Sequence, residues 1–171
     1  NAIYHHIKNV QPDVICFQEY LTVKNSNFIR ERDISALGDY NYFNEEYMIS
    51  KADRQIGVAT YSKYPIIKTE LVSFDNTEKQ FAIYTDIVKD IDTLRIYNIH
   101  LQSIKIHQDD FDFFNNQEGR PEEATNGTKR LVKKLKHAYP LRVAQAETIL
   151  KHATTSPYPT IICGDFNDTP M

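Results

Sequence analysis

Three apolar stretches of this chain end in oxygen or nitrogen groups suited to a metal ion or a phosphate. Val14-Ile15-Cys16-Phe17-Gln18-Glu19 is a run of strand length closed by a carboxylate. Arg95-Ile96-Tyr97-Asn98-Ile99-His100-Leu101 carries Asn98 and His100 two apart, so on a strand they share one face, opposite Tyr97, Ile99 and Leu101. Thr160-Ile161-Ile162-Cys163-Gly164 delivers Asp165-Phe166-Asn167-Asp168, with Asp165 and Asn167 again two apart and expected on one face. Polar groups at the ends of buried strands cost desolvation energy, and three such sites together point to a ligand or a polar network that offsets it. A hard carboxylate suits a divalent cation, and neutral or positive donors suit phosphoryl oxygens. Each residue also has a plainer reading. Glu19 alone reads as a solvated strand-end carboxylate, His100 as a satisfied core histidine, and residues 165–168 as an Asx-turn. Their joint occurrence favours a metal–phosphate site.

The elements that would position these groups follow from the local pattern. Ile3 and Ile7, four apart, suit the tail of an amphipathic helix over residues 1–9, which Pro12-Asp13 breaks. After the first apolar run, strands are expected near 40–48, 56–62, 67–74, 80–89 and 93–103, divided by turn signals such as Lys63-Tyr64-Pro65 and Asp75-Asn76. That spacing predicts antiparallel pairing and a sandwich-like core. Residues 104–127 are polar, acidic and turn-rich. They read as a surface excursion directly after His100 and as a candidate specificity element. Two helices are expected next, roughly 128–137 and 139–153. Leu141, Ala144, Ile149 and Ala153 lie close to one face of the second; Arg142 and Gln145, largely off that face, read either as support for the site or as solvation of the helix, and solvation is the assignment taken. Ser156-Pro157-Tyr158-Pro159 ends that helix, and 160–164 is a short buried strand. No internal repeat and no linker divides the chain, so residues 1–171 read as one domain.

Composition excludes several classes. With 41% hydrophobic residues and only five glycines and seven prolines, the chain is neither disordered nor low-complexity. No apolar run approaches the roughly 18 residues of a membrane span. A net charge of −3 argues against a general electrostatic grip on nucleic acid. The eleven Tyr and nine Phe residues fall mostly on strand positions, where core packing explains them better than base stacking does. Cys16 and Cys163 read as buried free thiols in a reducing, cytoplasm-like compartment. The chain opens on Asn1 inside an expected helix and stops just past a turn, so it reads as part of a longer protein, and a membrane tether outside these residues stays open.

Four motifs in order carry a family resemblance. Gln11-Pro12-Asp13-Val14-Ile15-Cys16-Phe17-Gln18-Glu19, Gly57-Val58-Ala59-Thr60-Tyr61-Ser62-Lys63-Tyr64-Pro65-Ile66, Tyr97-Asn98-Ile99-His100-Leu101 and Gly164-Asp165-Phe166-Asn167-Asp168 resemble successive motifs of the endonuclease/exonuclease/phosphatase superfamily. The resemblance implies a four-layer α/β sandwich of two packed mixed β-sheets flanked by helices, incomplete in these residues. It implies Mg²⁺- or Mn²⁺-dependent hydrolysis of a phosphodiester or phosphomonoester by in-line attack of water. Glu19 resembles the metal-binding glutamate, and His100 the histidine that donates to a phosphoryl oxygen, with Asn98 its co-facial neighbour. Asp165 resembles the residue that orients the attacking water, Asn167 a contact to the scissile phosphate, and Asp168 a structural turn residue. The implied partner is a phosphate-ester substrate, a nucleic acid or a phospholipid head group among the options, and no protein partner is inferred. A catalytically silent binding module with the same fold is the alternative; the intact Glu19, His100, Asp165 and Asn167 argue against it. The family pattern also includes a first-strand Asn, a later Asp and a C-terminal Asp-His pair that these residues do not supply. About half of a catalytic site is therefore expected here. His107, His137 and His152 are assigned to solvated surface, and the adjacent His5 and His6 point about 100° apart on a helix, a poor metal pair.

Overall fold

The computed structural model describes residues 2–23, 34, 36–51, 53–74, 81–104 and 121–168. The expected turn at Asp75-Asn76, His107 and residues 105–120 of the excursion lie outside the described residues. Helix α1 (Ala2–Val10) leads into strand β1 (Val14–Val23), followed by β2 (Tyr42–Ser50), β3 (Arg54–Ser62), β4 (Ile66–Ser73), β5 (Phe81–Lys89) and β6 (Asp92–His100). Helix α2 (Pro121–Ala153) and strand β7 (Thr160–Asp165) complete the order. One sheet has the order β1-β3-β2 and is antiparallel throughout. The other has the order β4-β5-β6-β7, with antiparallel pairs except for parallel β6–β7. Parallel neighbours need a long crossover, and α2 provides it.

Strand alternation decides the layers. On β1 and β3 the outward set Ile15, Phe17, Tyr20, Ala59 and Tyr61 packs with Tyr40 and Ile7 of α1. On β5 and β6 the outward set Ala82, Tyr84, Tyr97 and Ile99 packs against Ile149, Ala146 and Ala153 of α2. The opposite faces meet between the sheets, where Val58, Thr60, Ile83, Ile96 and Asn98 are buried. The order helix, sheet, sheet, helix is the expected four-layer sandwich. No helix among the described residues is long and apolar enough to cross a membrane.

Three expectations change. The last helical region is one helix of 33 residues, not two, and it begins at Pro121 within the expected excursion. Proline suits a first helical position because its missing N–H is unpaired there anyway. Pro140 inside the helix removes one backbone donor without ending it, because the buried face continues on both sides, from Ala138 to Arg142, Gln145 and Ile149. Strand β1 does not stop at Glu19 but runs on to Val23. His152 is not solvated: Tyr97 Oη and its Nδ1 share a 2.6 Å hydrogen bond, and its ring packs 5.3 Å from that of Tyr84. His137 is exposed as expected, and His5 and His6 are exposed as well.

Beside this cluster Arg95 and Asp86 form a buried two-pronged ion pair at 2.7 and 2.8 Å, with the guanidinium 3.9 Å from the Tyr84 ring centre. Asp86→Asn keeps the shape, but its amide nitrogen cannot accept, so one bond is lost and the other is weakened. It is expected to cost about 1.5–3 kcal/mol, the range for hydrogen bonds to charged groups. Urea unfolding measures this; a midpoint equal to wild type would show that the pair adds nothing.

Candidate active site

The first functional group is presented by a fault in the β1–β3 ladder. Phe17 pairs with Ala59 and Tyr20 with Gly57, so β1 holds one residue more than its partner between these points. Such a bulge re-aims side chains. Glu19 sits in it with φ 50°, a left-handed conformation rare for a residue with a Cβ, and its side chain is turned out to solvent. Gln18 turns the other way. Its Nε2 donates to Asn98 Oδ1 at 2.7 Å, and Asn98 Nδ2 donates to the carbonyls of Ala59 (2.9 Å) and Phe17 (3.2 Å) and to Thr60 Oγ1 (3.3 Å). Asn98 is 0% exposed. It pins the bulge and β3 to β6, so Glu19 is held at the same edge of the sandwich as the end of β6.

The second group comes from the parallel register. His100 lies directly opposite Asp165, and its Nε2 is 3.9 Å from Asp165 Oδ2. The imidazole is largely sunk, at 12% side-chain exposure, and the carboxylate stands half in solvent, at 47%. Gly164 makes this approach possible. Its φ is +145°, and a Cβ there would lie 2.0 Å from the Ile99 carbonyl oxygen. Asn98 and His100 share a face by strand alternation, as expected, whereas Asp165 and Asn167 are gathered by a turn. Asn167 N donates to Asp165 Oδ1 at 2.8 Å, its own φ is 52°, and its Nδ2 donates to the Leu101 carbonyl at 2.8 Å. The Asx-turn is thus present and is the device that builds the site.

Arg142 and Gln145 are a correction. Neither solvates the helix: they are 4% and 3% exposed, on the face that carries Ile149. Arg142 Nη1 donates to the Asn167 carbonyl, Nη2 lies 3.6 Å from Asp168 Oδ2, and the guanidinium sits 4.5 Å from the Tyr139 ring centre. Gln145 Oε1 accepts from Gln102 N at 2.9 Å, just beyond His100. One helical turn therefore holds the exits of both β6 and β7. The signal was available in the sequence, since positions 142, 145 and 149 fall on one helical stripe.

Among the described residues no three His, Cys, Asp or Glu side chains gather into a metal-binding group. Glu19 is exposed, and among the described residues no hydrogen bond or ion pair engages its carboxylate. One accessible hard oxygen ligand fits Mg²⁺ or Mn²⁺, which keep several waters and use one or two carboxylates, and does not fit a zinc or calcium cage.

A family model described as the Endonuclease/Exonuclease/phosphatase family matches residues 1–171. The fold is similar to that of an endonuclease/exonuclease/phosphatase family protein from Leptotrichia buccalis C-1013-b, with a TM-score of 0.56 and 16% identity over 96% of this chain and 58% of that one. It is similar to TDP2 from C. elegans, with a TM-score of 0.57 and 17% identity over 98% of this chain and 42% of that one. A beta hairpin deletion mutant of beta toxin from Staphylococcus aureus gives a TM-score of 0.56 and 18% identity, over 98% and 59%. At these identities the likeness is one of fold, and the chain spans about half the length of the structures it matches. No curated protein matches the sequence.

Proposed function

We propose, from the premise that the chain belongs to the endonuclease/exonuclease/phosphatase family, that it contributes Glu19, His100, Asp165 and Asn167 to a site that hydrolyses a phosphate ester by attack of water. The observation that carries this reading is the juxtaposition of His100 and Asp165 across β6 and β7, at 3.9 Å and beside the turn that holds Asn167. At that separation the two do not form a direct hydrogen bond. Nε2 is left to donate to a phosphoryl oxygen. Asp165 Oδ1 is engaged by Asn167 N, which leaves Oδ2 to accept from, and so orient, the attacking water. One amide hydrogen of Asn167 is held by the Leu101 carbonyl, and the second is left to donate to a phosphoryl oxygen. A divalent cation at Glu19, Mg²⁺ or Mn²⁺, neutralises charge on the phosphoryl oxygens and leaving group when bound. Asn98, being fully buried, acts as a positioning residue.

The substrate is a phosphodiester or phosphomonoester. One structural neighbour, TDP2 from D. rerio, is described in complex with single strand DNA product, which supports placing single-stranded DNA first in a panel. The test is hydrolysis by the full-length protein of DNA, RNA, phosphoinositide, sphingomyelin and a generic phosphodiester, with Mg²⁺ and with EDTA. Turnover of at least one ester that EDTA removes supports the reading, and no turnover of any of them sinks it.

Arg142 gives a graded prediction. Arg142→Met keeps most of the packing and releases the Asn167 carbonyl, and misplacement of a reacting group by about 1 Å costs up to about 10²-fold. The expected result is a kcat lowered roughly 10–100-fold with KM little changed, partly restored in Arg142→Lys. Equal losses in kcat and in folded fraction, with normal turnover per folded molecule, would make Arg142 merely structural.

A further inference from the structure

Cys16 and Cys163 lie 147 positions apart in sequence yet meet between the sheets. Cys16 on β1 is the register partner of Thr60 on β3, and Cys163 on β7 is the register partner of Asn98 on β6. Thr60 and Asn98 point at one another across the gap, with Asn98 Nδ2 3.3 Å from Thr60 Oγ1. Register partners on neighbouring strands project to the same face. Both cysteines therefore enter the same gap, side by side with a pair already in contact. Cys16 Sγ is 3.9 Å from Thr60 Oγ1, Cys163 Sγ donates to the Tyr97 carbonyl at 3.4 Å, and the two thiols are near enough to shift each other's ionisation. Strands β1 and β7 belong to different sheets yet bring Cα atoms within 8 Å of one another. A disulfide spans roughly 4.4–6.8 Å between Cα atoms, so bridging two strands this near asks for little backbone movement. Both thiols are only partly buried.

We propose that Cys16 and Cys163 are an oxidation site: a dithiol that a hydroperoxide converts to an intramolecular disulfide joining the two sheets. The roles of the two sulfurs differ. The neighbouring Cys16 thiol favours ionisation of Cys163, while that same proximity and burial keep Cys16 protonated. Cys163 sulfur attacks the terminal peroxide oxygen; an S–O bond forms, the O–O bond breaks, and the departing alkoxide (hydroxide, from hydrogen peroxide) takes up the proton the Cys163 thiol released and leaves as the alcohol (or water). Cys16 sulfur then attacks the sulfenic sulfur; the S–S bond forms, the S–O bond breaks, and hydroxide leaves as water with the proton from Cys16. Two thiols lose two electrons, and one hydroperoxide is reduced to water and its alcohol, or to two waters if it is hydrogen peroxide. The bridge would tie β1 three positions before Glu19 to β7 two positions before Asp165. Its effect on turnover rests on the phosphoesterase reading above, but its formation does not.

The experiment treats the whole protein with hydrogen peroxide, blocks remaining thiols under denaturing conditions, and maps the peptides by mass. The expected product is a Cys16–Cys163 linked peptide from monomeric protein, reversed by dithiothreitol. It should come with a melting temperature several degrees above that of the reduced form, because the link closes a long loop in the unfolded chain. In Cys16→Ser the resolving thiol is gone, and Cys163 should stop at sulfenic acid or proceed to sulfinic acid. Recovery of both wild-type thiols unmodified, separate oxidation of each without a bridge, or a bridge found only between molecules overturns the proposal. Absence of hydrolysis by the reduced protein counts against the phosphoesterase reading alone and leaves the peptide map to decide the oxidation site.

Discussion

Glu19→Gly is expected to remove metal-stimulated hydrolysis and, at the same time, to make the protein more stable. Glu19 holds φ 50° in the β1 bulge, where a residue with a Cβ is disfavoured by about 1–2 kcal/mol and glycine is not. The side chain is exposed, and no described group is bonded to it, so little packing is lost on deletion. The strain persists because the residues on either side are fixed. Gln18 is bonded to Asn98, and Tyr20 is buried and shares a 2.8 Å hydrogen bond with Tyr61. Strain retained at an exposed carboxylate fits a functional constraint. Loss of the only anionic ligand assigned to the cation removes several kcal/mol of charge stabilisation, which corresponds to about 10³-fold in rate. Glu19→Gln, which keeps the backbone strain, should lose the same activity without the gain in stability. Wild-type turnover in Glu19→Gln, or turnover unchanged after dialysis against EDTA, would remove Glu19 and the cation from the mechanism.

The residues of this site were readable in the sequence to the extent that strand alternation governs them. Asn98 and His100 are two apart on a regular strand, and the register of β6 and β7 then sets His100 against Asp165. Glu19 and Asn167 were readable only as residue types. Both occupy left-handed backbone, one in a bulge and one in a turn, where the period-two rule no longer applies. The bulge depends on how β1 pairs with β3, a partner about forty residues away. Arg142 and Gln145 were misassigned because a long polar side chain on a helix is usually solvated. What decides the burial of Arg142 is the β7 exit, where the Asn167 carbonyl and the Asp168 carboxylate offer the guanidinium partners. Helix α2 ran past its expected limits for a related reason. Local composition around Asn126-Gly127 and at Pro140 speaks for breaks, yet one helix runs through both.

His100→Ala is expected to lower kcat by about 10²–10³-fold, the usual loss for one donor aimed at developing charge. Its effect on melting temperature should be small beside that of a core truncation. His100 is the last residue of β6, and its ring lies at the edge of the sandwich, outside both apolar clusters. The neighbouring core stays covered, since Ile99 and Leu101, which flank it in sequence, face α2. The discriminating comparison is a double-mutant cycle with Asp165→Asn. If the two groups act on one reacting phosphate, their losses are coupled, and the double variant falls well short of the product of the single effects. If His100 serves only to hold Asp165 by the 3.9 Å contact, Asp165→Asn should already carry the whole loss, and His100→Ala added to it should change nothing. A third outcome would end the catalytic assignment: His100→Ala with wild-type kcat per folded molecule, together with a loss of stability as large as that of a buried leucine cut back to alanine, about 2–5 kcal/mol.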